Sequence, residues 1–260
     1  HYVRLASRST VYSLFQAKDL NKDQSYFLWT LTQEQLRHCL FPIGDYLKSE
    51  VRAIAREAGL PTAEKKDSQG ICFVGKVTLS DFLSQYIKET PGNILTTDGR
   101  VVGTHSGVQF YTIGQRQGLS IALNTPHYVA EKNIKTNTVV LAPENDLALY
   151  QKEIVVSNVN FISPSLFAYS YELENKALEV LARIRYRQPL KTAKLQKIEN
   201  RNQKVEEYKV IFEEEQKFIA PGQSAVFYLP AEAFLPAEAS AKVGAKEGSQ
   251  LELLGGGIIS

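Results

Sequence analysis

The sequence has 260 residues, of which 43% are hydrophobic and 22% charged, and 30 basic against 28 acidic side chains give a net charge of +2. This composition excludes a generally disordered chain, and a content of two cysteines excludes a small disulfide-based scaffold. No run approaches the 18 or so apolar residues of a membrane span, and the near-balanced charge confines any nucleic-acid surface to a local patch.

The first part of the chain is predicted to be rich in helices. Thr32 and Gln35 form a capping-box pattern, which predicts a short helix in TQEQLRHCL. The segment DYLKSEVRAIAREAGLP has apolar residues at helical spacing and ends on Gly59 and Pro61, so it predicts the strongest helix of the chain. A further short helix is expected in TLSDFLSQYIKE. Its predicted buried side chains are Phe82, Leu83, Tyr86 and Ile87.

The rest of the chain is predicted to be β-rich. From about residue 92 the hydrophobic period changes to two, and turn sequences separate short apolar runs. From about residue 151 the strand-like segments have the spacing expected of a barrel or sandwich. Three glycines at 255–257 predict a closing strand with tight backbone contacts, whereas 231–250 is predicted to be an exposed excursion. The fold class expected is therefore α+β with several domains.

Cys72 is the strongest candidate for chemistry. It lies in DSQGICFVG, close after Lys65 and Lys66, and Gly70 and Gly75 on either side of it let the backbone bend near a substrate. Positive charge favours the thiolate, which is the nucleophilic form of cysteine. The alternative is that ICFV is a buried strand in which Cys72 only fills space.

The remaining thiol and imidazole groups are expected to be structural. Cys39 follows His38 directly, but adjacent residues of a helix point in different directions, so we expect Cys39 to pack rather than react. The four histidines and two cysteines show no metal-ligand spacing, so no metal site is predicted. A Cys39–Cys72 disulfide is disfavoured because so low a cysteine content fits a reducing compartment.

Three polar segments are candidates for contact with RNA. Strand alternation in LEVLARIRYRQ would place Arg183, Arg185 and Arg187 on one face, as a stripe suited to a phosphodiester backbone. The alternative is a solvated face paired with glutamates. The loop beginning at Lys22 and the Pro-Gly turn before Gln223 are either ligand-contacting turns or simple connectors.

Nine pieces of the sequence, taken together and in order, resemble the tRNA-specific 2-thiouridylase family. They are HYVR, KDQSYFL, LFPIG, EVRAIAREAGLP, DSQGICF, GQRQGL, RYRQ, APGQ and the closing GGGII. The resemblance extends over nearly the whole chain, and it favours the reactive interpretation of Cys72 while leaving Cys39 structural.

The resemblance implies an activity and a set of partners. Members of the family use ATP with Mg²⁺ to activate carbon 2 of the wobble uridine of tRNA, and a cysteine persulfide then delivers the sulfur. Cys72 matches the persulfide-bearing cysteine. The partners implied are tRNA and a sulfur-donor protein, either a sulfur relay protein or a cysteine desulfurase, with no membrane, and the expected location is the cytoplasm or an organelle. The implied tRNA contacts are His1, Lys22, Asp23, Gln24, Arg185, Tyr186 and Gln223.

The resemblance also implies three domains and a departure from the family pattern. We expect the remnant of an α/β ATP-pyrophosphatase domain at 1–78, a central β-rich tRNA-binding domain at 79–150, and an antiparallel β-barrel at 151–260. The family's Ser-Gly-Gly-x-Asp-Ser phosphate loop does not occur in this sequence. The partner catalytic cysteine, which in the family precedes the His-Tyr-x-Arg motif, does not occur either, and there is no methionine. We therefore expect a fragment that neither adenylates nor thiolates tRNA alone. The competing hypothesis is a non-catalytic, RNA-binding β-barrel module.

Overall fold

The computed structural model describes residues 1–8, 10–65, 79–119, 121–164, 176–198, 206–229 and 251–260. Within these ranges the chain forms two compact units. The first unit is His1–Glu64, Lys152–Glu214 and Pro221–Ser260, and the second is Lys65–Gln151 and Glu215–Ala220. The division into three domains at 78 and 150 stays a prediction.

Three helices are present among the described residues: α1 (Gln33–Leu36), α2 (Lys48–Glu57) and α3 (Leu79–Ser84). The predicted capping box of α1 is confirmed, because the Thr32 hydroxyl accepts a hydrogen bond from the Gln35 backbone while the Gln35 side chain accepts one from the Thr32 backbone. The prediction of a buried Tyr86 is wrong, since this residue lies beyond the end of α3 and is 72% exposed. No described helix is long and apolar enough to cross a membrane.

Most of the regular structure consists of strands. In chain order they are β1 (Arg4–Arg8), β2 (Val11–Phe15), β3 (Gly92–Thr96), β4 (Val101–His105), β5 (His127–Asn133), β6 (Thr138–Pro143), β7 (Tyr150–Phe161), β8 (Leu178–Arg183), β9 (Lys191–Ile198), β10 (Glu207–Lys217), β11 (Ser224–Leu229) and β12 (Glu252–Ile259). The β-rich C-terminal region predicted from about residue 151 therefore contains strands β7 to β12 among the described residues.

The first unit contains a closed six-stranded barrel. The strand order is β12-β11-β8-β9-β10-β7, and β7 returns to pair with β12. The β1–β2 hairpin extends this sheet through a pairing of Phe15 with Glu252. A barrel has no free edge inside the ring, which removes the unpaired backbone groups that an open sheet would expose.

The predicted tight contacts of the closing strand are confirmed. A Cβ atom at Gly256 would lie 2.7 Å from Cγ of Trp29 and 2.9 Å from the carbonyl oxygen of Ala225. Gly257 is similarly close to the side chain of Val159. Glycine is therefore required where β12 passes beneath the Trp29 ring.

One cluster of the core of the first unit joins the N-terminal segment to the barrel. This cluster contains ten buried side chains. They are Val3, Leu14, Tyr26, Leu28, Trp29, Leu36, Ile162, Val226, Tyr228 and Leu253. Because members come from both ends of the sequence, residues 1–36 are packed onto the barrel by apolar contact, which holds the loop that follows β2 in place.

The second unit contains a four-stranded sheet of order β4-β3-β6-β5. Strands β3 and β6 are parallel, and the other two pairings are antiparallel. Ile94, Val139 and Leu141 are fully buried in its core. Gly114 and Gly118 in the GQRQGL motif both adopt positive φ, which is why that segment turns instead of forming a strand.

Candidate RNA-binding surface

His1 is held beside the loop of residues 22–24 by two hydrogen bonds between Tyr2 and Gln24. The Tyr2 amide donates to Oε1 of Gln24 at 2.9 Å, and the Gln24 amide donates to the Tyr2 carbonyl at 2.8 Å. Tyr2 and Val3 are buried, whereas His1 is exposed. The pairing therefore places the His1 side chain at the surface next to Lys22 and Gln24.

Asp23 lies inside the molecule, where it organises this loop. It is 2% exposed. Its Oδ1 accepts hydrogen bonds from the amides of Ala17 and Ser25, both at 3.2 Å, and its Oδ2 accepts one from the Ser25 hydroxyl at 2.9 Å. A buried carboxylate satisfied in this way fixes the backbone of the flanking residues Lys22 and Gln24, which are both half-buried.

Arg183 is the charge partner of Asp23. Its Nη2 donates to Oδ2 of Asp23 at 3.2 Å, and the two side chains are 6% and 1% exposed. The Arg183 guanidinium also lies 4.9 Å from the centroid of the Tyr228 ring. Tyr228 and Ser25 share a 2.9 Å hydrogen bond, and burial raises the pKa of the Tyr228 hydroxyl despite the neighbouring cation.

The predicted stripe of three arginines on one strand is wrong. Strand β8 ends at Arg183, which points into the protein toward Asp23, and Arg187 adopts a left-handed conformation with φ of 65°. The alternation that the sequence suggests is broken because the buried ion pair holds the end of the strand and the chain then turns. Arg185 and Arg187 consequently belong to a turn and not to a flat sheet face.

Tyr186 of that turn packs against Phe27, with Tyr26 behind them, and we call these three rings the aromatic shelf. The Phe27 and Tyr186 ring centroids are 4.6 Å apart, and Phe27 is 50% exposed. The Arg187 guanidinium lies 5.3 Å from the Tyr186 centroid. Exposed rings combined with a stacked guanidinium are the features that hold unpaired bases in RNA-binding proteins.

Arg185 and the turn before β11 complete the surface. Arg185 is half-buried near Tyr26, where burial lowers the pKa of the arginine and raises that of the tyrosine. The Tyr26 hydroxyl donates to the Ser224 carbonyl at 2.8 Å, and Nε1 of Trp29 donates to the Ser224 hydroxyl at 3.0 Å. These bonds fix Gln223, which lies just before Ser224 in the turn that Gly222 makes at φ of 84°.

The structure thus brings together the sequence-predicted contact residues His1, Lys22, Asp23, Gln24, Arg185, Tyr186 and Gln223. Sequence reasoning missed Phe27, and it predicted Arg183 as a surface contact where the structure makes it the buried partner of Asp23. The aromatic run after the KDQ loop was a signal for Phe27, but its exposure could not be read from the sequence. Nothing local distinguishes Arg183 from its neighbours Arg185 and Arg187.

Of the two cysteines, only Cys39 lies among the described residues. Cys72 lies outside the described residues, so its predicted role stays a prediction. Cys39 is half-buried, and its Sγ donates to the Gln35 carbonyl one helical turn earlier at 3.3 Å. Among the described residues, no group of three or more His, Cys, Asp or Glu side chains is arranged to hold a metal ion.

Three protein-family models match the chain in succession. They are described as tRNA methyl transferase HUP domain at residues 1–76, tRNA methyl transferase PRC-barrel domain at 80–143 and aminomethyltransferase beta-barrel domain at 151–234. The last range contains most strands of the six-stranded barrel.

Curated relatives carry one common name. A tRNA-specific 2-thiouridylase MnmA of Pseudomonas aeruginosa strain UCBPP-PA14 is 42% identical over 234 residues, which cover 88% of this chain and 59% of the relative. Proteins of the same name from Buchnera aphidicola of Acyrthosiphon pisum and from Stutzerimonas stutzeri are 43% and 41% identical, with 61% and 59% of their lengths covered. The chain therefore spans about three fifths of the length of these relatives. With three consecutive family models and this level of identity, the chain belongs to the tRNA-specific 2-thiouridylase family.

Proposed function

We propose that this chain carries the tRNA-holding surface and the sulfur-carrying cysteine of a tRNA 2-thiouridylase. The observation that supports this most strongly is the assembly of the 22–24 loop, the aromatic shelf and the Gln223 turn on one surface of the first unit. Segments about 200 residues apart in sequence meet there, as the hydrogen bond between Tyr26 and Ser224 illustrates. The surface combines cations for phosphates with rings for unstacked bases.

The residues have different roles in this proposal. Lys22 and Arg185 contact phosphate, and Phe27 and Tyr186 stack on bases. Nε2 of Gln24, whose Oε1 binds the Tyr2 amide, and the side-chain amide of Gln223 contact base edges or ribose. Within the described part of the chain, Oε1 of Gln223 is buried without a hydrogen-bond partner, so a rotation of this side chain would present an acceptor to RNA. Asp23 acts from beneath, by fixing the backbone of Lys22 and Gln24.

In the proposed reaction the outer sulfur of a Cys72 persulfide replaces the oxygen on carbon 2 of the wobble uridine. The oxygen would leave with AMP after activation by ATP, and a second thiol would take over the disulfide bond to Cys72 as the thiolated base is released. The family models are named for methyl transfer, whereas the relatives are named for 2-thiolation. A nucleophilic cysteine in the DSQGICF motif favours sulfur as the transferred element. The expected partners are tRNA and a sulfur-donor protein, and the expected compartment is the cytoplasm.

ATP with Mg²⁺ does not fit the described residues. Helices α1 and α2, whose preceding residues are described, do not begin at a glycine-rich loop that could surround a pyrophosphate, since α2 begins at Leu47 and Lys48. The residues that would hold ATP are therefore not found at the start of either helix.

The proposal is tested by equilibrium binding of this chain to a tRNA anticodon stem-loop. Phe27→Ala should weaken binding by roughly fivefold or more, because stacking on one base is worth about 1–3 kcal/mol. The matched control is Tyr46→Ala, which removes another exposed ring of the first unit outside the surface. Lys22→Ala should lower the slope of log affinity against log salt concentration by about one, whereas Lys194→Ala, at an exposed lysine of β9, should leave that slope unchanged. Equal effects of the variants and their controls would refute the proposed surface.

The competing hypothesis, an RNA-binding barrel without catalysis, makes a different claim about Cys72. A persulfide carrier must expose its thiol, whereas a packing cysteine is protected. Alkylation of Cys72 much faster than that of Cys39 supports the sulfurtransferase, because Cys39 is half-buried and hydrogen-bonded. Equally slow alkylation of both thiols would favour the binding module.

A further inference from the structure

A cleft of about 640 Å³ lies beside the RNA-binding surface in the first unit. Its walls are residues 16–18, 20 and 21, which lead into the 22–24 loop, and the turn 187–190, which follows the aromatic shelf. Arg183 and Leu251 close it. This volume falls in the range of about 300–1,000 Å³ that is usual for small-molecule sites. The cleft is continuous in sequence with the proposed RNA contacts on both sides.

The cleft has an apolar wall and a polar wall. Leu20, Pro189, Leu190 and Leu251 contribute hydrocarbon surface. The polar wall consists of amides and cations, namely Gln16, Lys18, Asn21, Arg183, Arg187 and Gln188. Among the described residues, no carboxylate lines the cleft. A ligand with a flat, partly apolar ring and an anionic group matches both walls.

Arg183 provides a built polar group in this cleft. It is 6% exposed, and although its Nη2 is bonded to Asp23, its Nε has no hydrogen-bond acceptor among the described residues. Buried donors in folded proteins are almost always paired, so an unpaired one facing a cleft points to a ligand acceptor. The ion pair with Asp23 keeps the guanidinium rigidly in place for such a contact.

Arg187 connects the cleft to the aromatic shelf. Its guanidinium lies against the Tyr186 ring, and the same residue lines the cleft. Its φ of 65° is rarely adopted by residues other than glycine, and such strained conformations concentrate at functional sites. An RNA strand whose bases stack on the shelf would therefore pass the mouth of the cleft.

We propose that the cleft takes up one unstacked nucleotide of the bound RNA, which is a second base site separate from the reacting uridine. The base lies against Leu20 and Leu190, and the phosphate contacts Arg187 at the rim, since the Nζ of Lys18 is paired with Glu50. This inference rests on the proposed function, because it requires RNA on the adjacent surface. The same chemistry would also suit a free nucleoside monophosphate, and the experiment separates the two sources.

The test introduces a carboxylate into the cleft. Leu20 is 65% exposed, so Leu20→Glu leaves the core untouched while opposing a phosphate. Asn21→Asp is a second, isosteric variant with the same effect. Leu60→Glu is the matched control, since Leu60 is 52% exposed, belongs to the first unit and lies outside the cleft. Each protein is titrated with the anticodon stem-loop and with stem-loops carrying one abasic site at each unpaired position in turn.

We expect Leu20→Glu and Asn21→Asp to weaken binding of the intact stem-loop about fivefold and Leu60→Glu to leave it unchanged. A stem-loop with an abasic site at one of the positions should bind the wild-type chain about fivefold more weakly than the intact stem-loop does. The same abasic site should cause no further loss of affinity in the Leu20→Glu protein, because the carboxylate already keeps the base out of the cleft. If Lys22→Ala weakens binding but the cleft variants bind like wild type, the cleft proposal is overturned and the proposed function survives. Absence of any binding by the wild-type chain overturns both. Uridine or adenosine monophosphate could instead bind the wild-type chain and not the Leu20→Glu protein, while the two proteins have equal affinity for RNA. That result would assign the cleft to free nucleotides and overturn the proposed RNA site.

Discussion

The buried ion pair between Asp23 and Arg183 gives the sharpest prediction. In Asp23→Asn, Oδ1 can still accept from the amides of Ala17 and Ser25, so the loop keeps its backbone bonds. The new amide nitrogen, however, replaces the Oδ2 acceptor of Arg183 with a donor. The substitution therefore leaves the loop connected and the guanidinium without its counter-charge.

The magnitude follows from burial. The two side chains are 6% and 1% exposed, so water cannot replace the lost partner. Removal of one member of a buried pair costs about 3–5 kcal/mol of the free energy of unfolding, largely because the other charge stays buried alone. The matched substitution Glu153→Gln breaks an ion pair with Lys209 whose side chains are 51% and 39% exposed. Exposed pairs contribute about 0–1 kcal/mol, so this control should change little.

The assay is urea unfolding of each variant, combined with a double-mutant cycle. Asp23→Asn should lower the midpoint by about 1 M or more, given slopes of about 1–3 kcal/mol per M for proteins of moderate size. Arg183→Met alone should be comparably destabilising, and the double variant should lose less than the sum of the single losses by more than about 1 kcal/mol. If Asp23→Asn were no more destabilising than Glu153→Gln, or if the two single losses simply added, the ion pair would not hold this loop.

Two further predictions concern the barrel strand and a buried histidine. Gly256→Ala should destabilise the first unit by about 1–3 kcal/mol in urea unfolding, because its Cβ would meet Trp29 at 2.7 Å; a change below about 0.5 kcal/mol would show that β12 has room. His105 is 4% exposed, and burial lowers its pKa, so the unfolded chain takes up the proton first. The contribution of the neutral His105 side chain to the free energy of unfolding is therefore fully present above about pH 6.5, the ordinary pKa of histidine. It is lost as the pH falls below that value. His105→Phe should remove that part of the acid sensitivity in pH-dependent unfolding, and an unchanged pH profile would contradict the assignment.

The local structure was largely predictable from the sequence. Alternating apolar residues predicted the C-terminal strands, and in β10 Tyr208, Val210 and Phe212 are indeed buried while Glu213 is exposed. The capping box at Thr32 was predictable because both partners lie within one helical turn. The tight strand at 255–257 was predictable because successive glycines in a strand serve close backbone contact. Family motifs indicated the residues that are proposed to contact RNA.

Tertiary structure alone decided which of these residues meet and which are exposed. Arg183, Arg185 and Arg187 look equivalent in sequence, yet the first is buried against Asp23, 160 residues away, and the last lies over Tyr186. Periodicity reports only whether one face of an element is apolar, because it depends on neighbours in sequence. The partner that a charged side chain finds across the barrel depends on chain closure over long separations, so the ion pair, the aromatic shelf and the cleft beside it exist only in the folded chain.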